Sequence, residues 1–279
     1  MQKNYWGEPT VSPRDLLSVE HFRAHFQAGA NLIFTKFGLS SEESLELIQK
    51  IWNLADISRD EPFETVLRTL VADRFDSNLI RSLLDERAML VASQIKPFVS
   101  GRSLLDIGAG DGMVSYFLKD HFQSIQLIDV VNYIDPRVAM PLIEYDDGGS
   151  MPAGSADTAI LINVMHHSGF PVDLLRDSWA HTISRLIVIE SVYGDSAKLG
   201  ESELPFSLSV REQFLYTSFF DWFYNRVLHS DVPVPFNYLP PAGWTQLFEK
   251  MGMSVTASQD LGIDVEIVPI HHYLFVMDR

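Results

Sequence analysis

Beyond Gly101 the chain breaks into short, branched-rich apolar runs: SLLDI, IQLIDV, PLIEY, TAILINV and RLIVIE. Each is bounded by Gly, Asp, Pro or Ser, and segments of helical period lie between most of them. Strands that are apolar on both faces have no side to offer to water, so they must lie in a sheet covered above and below by crossover helices. The fold class expected is therefore α/β, a doubly wound and mostly parallel sheet. Two further runs near the end, SVTAS and IVPIHHYLFVM, read as an antiparallel closing hairpin and bring the sheet to seven strands.

Residues 1 to about 98 carry helical periods and little else, which makes them an all-helical extension. Ser12 with Pro13 at the first helical position opens a helix with apolar side chains at Leu16, Val19, Phe22 and Phe26. The capping box Ser40 to Glu43 opens a second, with Leu45, Ile48, Trp52 and Ala55 on one face. A third starts near Pro62, and a fourth, SNLIRSLLDERAMLVASQI, leads to Pro97. Residues 99–279 form the α/β domain, interrupted at about 192–240 by a helical insertion, LSVREQFLYTSFFDWFYNRVLHS, and the proline-spaced VPVPFNYLPP.

The central question is the stretch LLDIGAGDG, Leu104 to Gly112, which puts glycines at 108, 110 and 112 in the first βα turn. Glycines there let a backbone approach a ligand, while the helix that follows presents unpaired N–H groups. The third glycine comes one place too early for the dinucleotide pattern, whose sixth position is held by Met113. An acid, Asp106, also lies inside the strand before the turn.

The run D-I-G-A-G-D-G, Asp106 to Gly112, resembles the first motif of the class I S-adenosylmethionine-dependent methyltransferases, whose sheet is Rossmann-like. Later segments follow that family's order. The resemblance implies a cofactor, S-adenosylmethionine, with S-adenosylhomocysteine as product. It implies a cofactor site at Asp106, Gly108, Ala109, Gly110 and Gly112, with Asp129 and Val130 at the end of the next strand, Asp129 bonding the ribose hydroxyls. Asp147 would face the adenine amino group with Gly148 beside it, and Asn163 would lie near the methionine moiety. Within the superfamily, VMHH, FFDWFYN, PFNY and HHYLFVM are similar to a bacterial small-molecule subgroup of the type-11 kind. Two departures stand out. Too few residues separate Asp129 from Pro141 for a full crossover helix, so the second helix should be short or missing, and His181 to Ser184 replaces the family's Lys-Pro-Gly-Gly turn.

Methyl transfer is an in-line displacement and needs a general base only when the acceptor enters protonated. His166 and His167 follow the fourth strand, and Glu190 ends the fifth, at the edge where open α/β sheets place ligands. These three are the catalytic candidates, Glu190 to orient a histidine or bind an amine; the alternative is that the histidines bond loop backbone or orient the helical extension and that Glu190 caps its strand or pairs with a lysine. Substrate-binding candidates are Tyr193, Trp222 and Asn225, with Tyr5 and Trp6 from the terminal arm. The aromatic run Phe219, Phe220, Trp222, Phe223 and Tyr224, interleaved with Asp221, Asn225 and His229, reads first as core and second as a lid or an interface. One of His271 and His272 should face inward. No spacing of histidines and carboxylates suggests a metal, and none is expected.

Lys+Arg 21 against Asp+Glu 37 leaves a formal charge of −16, which repels phosphate backbones and anionic lipid, so no nucleic acid or membrane partner is expected. Without cysteine there is no disulfide, thiolate nucleophile or cysteine-bound zinc. MQKNYWGEPTVSPRD lacks the apolar core of a signal peptide and no apolar run nears the ~18 residues of a membrane span, which makes a cytoplasmic protein the expectation. The leading expectation is methylation of a small specialised metabolite on oxygen, nitrogen or carbon, by a monomer or homodimer. The alternatives are a rearrangement or cyclisation on the same cofactor, a noncatalytic partner subunit, and a dinucleotide oxidoreductase.

Overall fold

Ser103–Ile107 (β1), Ser124–Asp129 (β2), Leu142–Glu144 (β3), Ala156–Ile162 (β4) and Thr182–Val192 (β5) are parallel neighbours in one sheet. Ser254–Asp264 (β6) and Ile270–Asp278 (β7) complete it, giving seven strands in the order β3-β2-β1-β4-β5-β7-β6. The expected doubly wound α/β sheet is present. These positions come from a computed structural model that describes residues 3–10, 12–57, 63–194, 208–228, 232–264 and 269–279. Pro62 and His229, named above, lie outside the described residues, as do Ile267 and Val268 of the last apolar run.

β1 sits at the centre, with Asp106 level with Leu127 of β2 and Ile160 of β4. Leu104, Ile160, Ile187 and Leu274 are buried in one cluster with Val91, Ala92 and Ile95. That cluster explains why these runs lack a polar alternation. Each fully buried Leu, Ile or Val side chain contributes ~1.5–3 kcal/mol. No helix separates β2 from β3; the link is coil with a turn at Asp135–Val138, as the short spacing requires. Helices Met113–Leu118 (α6), Pro171–Ala180 (α7) and Pro241–Lys250 (α9) follow β1, β4 and the insertion. Within α9, Trp244 and Phe248 are buried and Phe248 meets Phe275 of β7 edge-on at 5.3 Å.

The helical extension holds Pro13–Leu17 (α1), Glu20–Lys36 (α2), Ser41–Ile57 (α3), Phe63–Val71 (α4) and Ser77–Ile95 (α5). The first expected helix is two: it stops at Leu17, and Val19 is 49% exposed rather than buried. Ser12 caps without a side-chain hydrogen bond, so α1 has little to prolong it. The second behaves as its capping box dictates, Ser40 N–H donating to Glu43 at 2.8 Å and Glu43 N–H to Ser40 Oγ at 3.3 Å. On that helix Leu45 faces solvent, and Leu47 takes the buried place beside Ile48 and Ile51.

By contact the chain forms two units. One is Met1–Leu84, Val192–Pro240 and Gly262–His271; the other is Asp85–Ser191, Pro241–Leu261 and His272–Arg279. The insertion helix Val210–Trp222 (α8), prolonged by a π-helical stretch Phe223–Leu228, belongs to the helical unit. Its aromatics are core there: Phe26 meets Phe219 edge-on at 4.7 Å, and Trp222 stacks on Phe63 at 5.9 Å. Such pairs add ~0.5–1.5 kcal/mol each beyond burial. Among the described residues no helix is long and apolar enough to cross a membrane.

Candidate functional site

The loop after β1 needs its glycines for three different reasons. All three have positive φ, at 71°, 57° and 75° for Gly108, Gly110 and Gly112. A Cβ on Gly108 would lie 2.5 Å from both methyls of Val164, so that glycine is a packing requirement. A Cβ on Gly112 would press on Leu127, Ile134 and Val138 at 3.1–3.3 Å. At Gly110 nothing lies within 4 Å, so the backbone there borders open space, as a loop does when it offers itself to a ligand.

The loop is tied to the end of β2. Gly108 and Ala109 N–H both donate to the Ile128 carbonyl, at 2.8 and 3.0 Å. Asp129 completes the tie: one oxygen accepts Gly110 N–H at 2.8 Å, the other Val130 N–H at 2.7 Å. Burial still pushes its carboxyl above the usual range, because desolvation outweighs those bonds. Asp111 accepts Met113 N–H at 3.0 Å, so the start of α6 already carries a carboxylate.

Asp106 does not line open space. It is buried, accepts the Ser115 hydroxyl at 2.6 Å and so anchors α6 beneath the loop. Burial raises its carboxyl to about 7, partly opposed by the Ser115 bond, with Asp129 and Asp111 adding like charge. A folded-state value above the unfolded one means stability is full below about pH 4 and is lost as pH rises through 7. Asp106→Asn keeps an acceptor for Ser115 and removes that loss. Urea midpoints of the variant should fall less than those of the wild type between pH 5 and 8; parallel curves would sink this assignment.

At the next edge of the site, Asp147 binds the start of α7. Ser168 Oγ donates to it at 2.7 Å and Gly169 N–H at 2.8 Å, while a Cβ on Gly148 would strike the Phe170 ring at 2.6 Å. Asp147 itself remains exposed, with acceptor capacity beyond these two bonds. Asn163, past the end of β4, adopts φ 56°, unusual for a side-chain-bearing residue, with its N–H on Ile189 O at 2.8 Å. Beyond it, Glu190 is wholly buried and meets His166 Nδ1 at 2.5 Å. His166 is buried too, whereas His167 is half-buried, their ring centroids 4.1 Å apart.

The structure thus gathers the glycine loop, Asp129, Val130, Asn163, the two histidines and Glu190 at the C-terminal ends of β1, β2, β4 and β5. The substrate candidates lie in the helical unit. Trp222 is core, and Asn225 Nδ2 donates to Asp221 Oδ1 at 2.9 Å. Tyr193 packs edge-on against Phe214 at 5.2 Å. Tyr5 N–H and Trp6 Nε1–H donate to Asn237, at 2.8 and 3.0 Å, so the terminal arm docks on the extended proline-spaced segment. Sequence reasoning missed Ser115, Asn237 and the pairing of buried Asp221 with the Tyr238 hydroxyl. It also passed over Ser209 and Glu212, whose S-x-x-E spacing announces the capping box that opens α8.

Neither a protein-family model nor a curated protein matches the chain. Solved structures do. One is the complex between the Haloferax volcanii Trm112 methyltransferase activator and its methyltransferase partner, with TM-score 0.50 and 13% identity over 79% of this chain and 98% of that one. An O-methyltransferase family protein from Burkholderia thailandensis gives 0.48 and 15%, over 85% and 70%. A SAM-dependent methyltransferase from Aquifex aeolicus gives 0.46 and 16%, over 73% and 98%. What the first of these establishes is a shared fold.

Proposed function

We propose that this chain is an S-adenosylmethionine-dependent methyltransferase acting on a small-molecule acceptor, of the type-11 kind and serving specialised metabolism in the cytoplasm. The observation that carries the reading is the acid-lined glycine loop. Gly110 borders open space, Asp129 grips the loop with acceptor capacity to spare, and Asp111 occupies the helix start where a pyrophosphate would have to sit. That arrangement repels a dinucleotide and suits a ligand bearing a sulfonium and an ammonium. The bare backbone at Gly110 fits the cofactor.

When bound, the cofactor supplies an electrophilic methyl group whose bond to sulfur breaks as the acceptor's lone pair bonds to the carbon. The chain's own contribution is placement and proton handling. Asp129 would receive the ribose hydroxyls, Asp147 the adenine amino group, and Asn163 would lie by the amino-acid end. His167, the more exposed of the pair, takes a proton from a hydroxyl or ammonium acceptor. Residues 99–279 form the cofactor domain on this reading, while the helical extension and insertion carry acceptor choice.

Calorimetry with S-adenosylmethionine, S-adenosylhomocysteine and NAD tests the reading. Micromolar binding of both adenosyl ligands and none of NAD is expected, after which a panel of hydroxyl, amine and carbon acceptors is screened for a product heavier by one methyl group. NAD binding with no adenosyl binding would overturn it.

A further inference from the structure

One carboxylate at the end of β5 meets two backbone donors and a histidine ring nitrogen. Oε1 of Glu190 accepts the backbone N–H of Val164 at 3.2 Å and of Met165 at 2.8 Å, while Oε2 faces Nδ1 of His166 at 2.5 Å. An ionised carboxylate can only accept hydrogen bonds, so Nδ1 bears a proton in either charge state of the ring, and the neutral ring keeps its lone pair on Nε2. The backbone that Glu190 grips also carries Val164, whose two methyls fill the space denied to a side chain at Gly108. The His166 ring lies against that of His167, so fixing one restricts the other.

We propose that Glu190 is a positioning residue that fixes the proton of His166 on Nδ1 and, through the Val164–Met165 backbone, seats the glycine loop. A single buried group thereby sets both the orientation of the histidine pair and the floor of the ligand site. The inference deepens the methyltransferase reading and rests on it for the use of the histidines; the tautomer itself can be measured without ligand.

Glu190→Gln separates the two roles. Its amide oxygen stays on Val164 and Met165, because an amide NH2 there would oppose two donors. The NH2 is left facing His166, whose Nδ1 must then accept while the proton moves to Nε2. In full-length protein labelled with 15N-histidine, with His166 assigned through His166→Asn, long-range 1H–15N spectra should show protonated Nδ1 in the wild type and bare Nδ1 in Glu190→Gln. Affinity for S-adenosylhomocysteine should change less than ~3-fold in Glu190→Gln and fall ~10-fold or more in Glu190→Ala, which frees the loop backbone. Wild-type His166 with a bare Nδ1 overturns the proposal with no variant needed, so it stays testable even if Glu190→Gln fails to fold. Retention of the Nδ1 proton in Glu190→Gln overturns the tautomer assignment, and unchanged affinity in Glu190→Ala overturns the seating of the loop. If the wild type binds no adenosyl ligand, the methyltransferase reading falls while the spectra still decide the tautomer.

Discussion

Asp129→Ala should weaken binding of S-adenosylhomocysteine by ~10- to 150-fold while leaving the protein folded. The factor comes from one charged hydrogen-bonding group, worth ~1.5–3 kcal/mol. Two losses combine in it. The ligand loses the carboxylate expected to receive its ribose hydroxyls, and the loop loses the acceptor of Gly110 N–H where its backbone borders open space. Asp129→Asn should be nearly as damaging, because whichever way the amide turns, its NH2 meets a backbone donor at Gly110 or at Val130. Gly108 and Ala109 stay bonded to Ile128 in both variants, so circular dichroism and thermal midpoints should move little. Calorimetric affinities within 3-fold of wild type for both variants would remove Asp129 from the site.

The largest effect on stability is expected at Gly29, inside α2. In an exposed helix, glycine to alanine gains ~1 kcal/mol. Here an added Cβ would lie 1.7 Å from the Tyr216 hydroxyl oxygen, 2.8 Å from its ring carbon and 3.1 Å from the Phe220 ring. Tyr216 has little freedom to retreat: it is buried, with Phe220 at 4.6 Å and Phe22 at 6.4 Å between ring centroids. Overpacking of this kind costs ~1–3 kcal/mol or more, so the clash wins over propensity. Gly29→Ala should therefore lower Tm by roughly 2–12 °C, given ~2–4 °C per kcal/mol at this size. Adding Tyr216→Phe deletes the nearest atom and should recover part of the loss, a non-additivity that marks direct contact. A Tm at or above wild type for Gly29→Ala would refute the close approach.

Much of the sheet was legible because its strands are buried on both faces. Leu104, Leu105 and Ile107 have no solvent side, and the same composition marks Ala159 to Leu161 and Leu186 to Ile189. The missing crossover before β3 followed from chain length alone. What escaped were features decided by partners distant in sequence. Val19 fits a helical stripe, yet nothing local says that α1 has already ended. Trp222 and Phe219 read first as core and second as a lid, and only Phe26 and Phe63, distant in sequence, decide for core. Asp106, expected at the cofactor, holds Ser115, and Asp147 spends bonds on Ser168 and Gly169. Motif spacing locates a carboxylate at a site; the direction it faces depends on which donors the fold brings to it.

The division of the chain into two units has a consequence for its synthesis. Each unit is assembled from three separate stretches, and the last stretch of each lies beyond residue 260. As the polypeptide leaves the ribosome, β1 waits for β4 with a bare hydrogen-bonding edge, and then β5 waits for β7 while the insertion is being made. The aromatic core of Phe22, Phe26 and Phe63 likewise stays open until Phe219 and Trp222 emerge. Neither half can close early to shelter its apolar surface. Apolar surface and unpaired strand edges therefore stay exposed until late in synthesis, and neither unit corresponds to a continuous segment that could be expressed by itself.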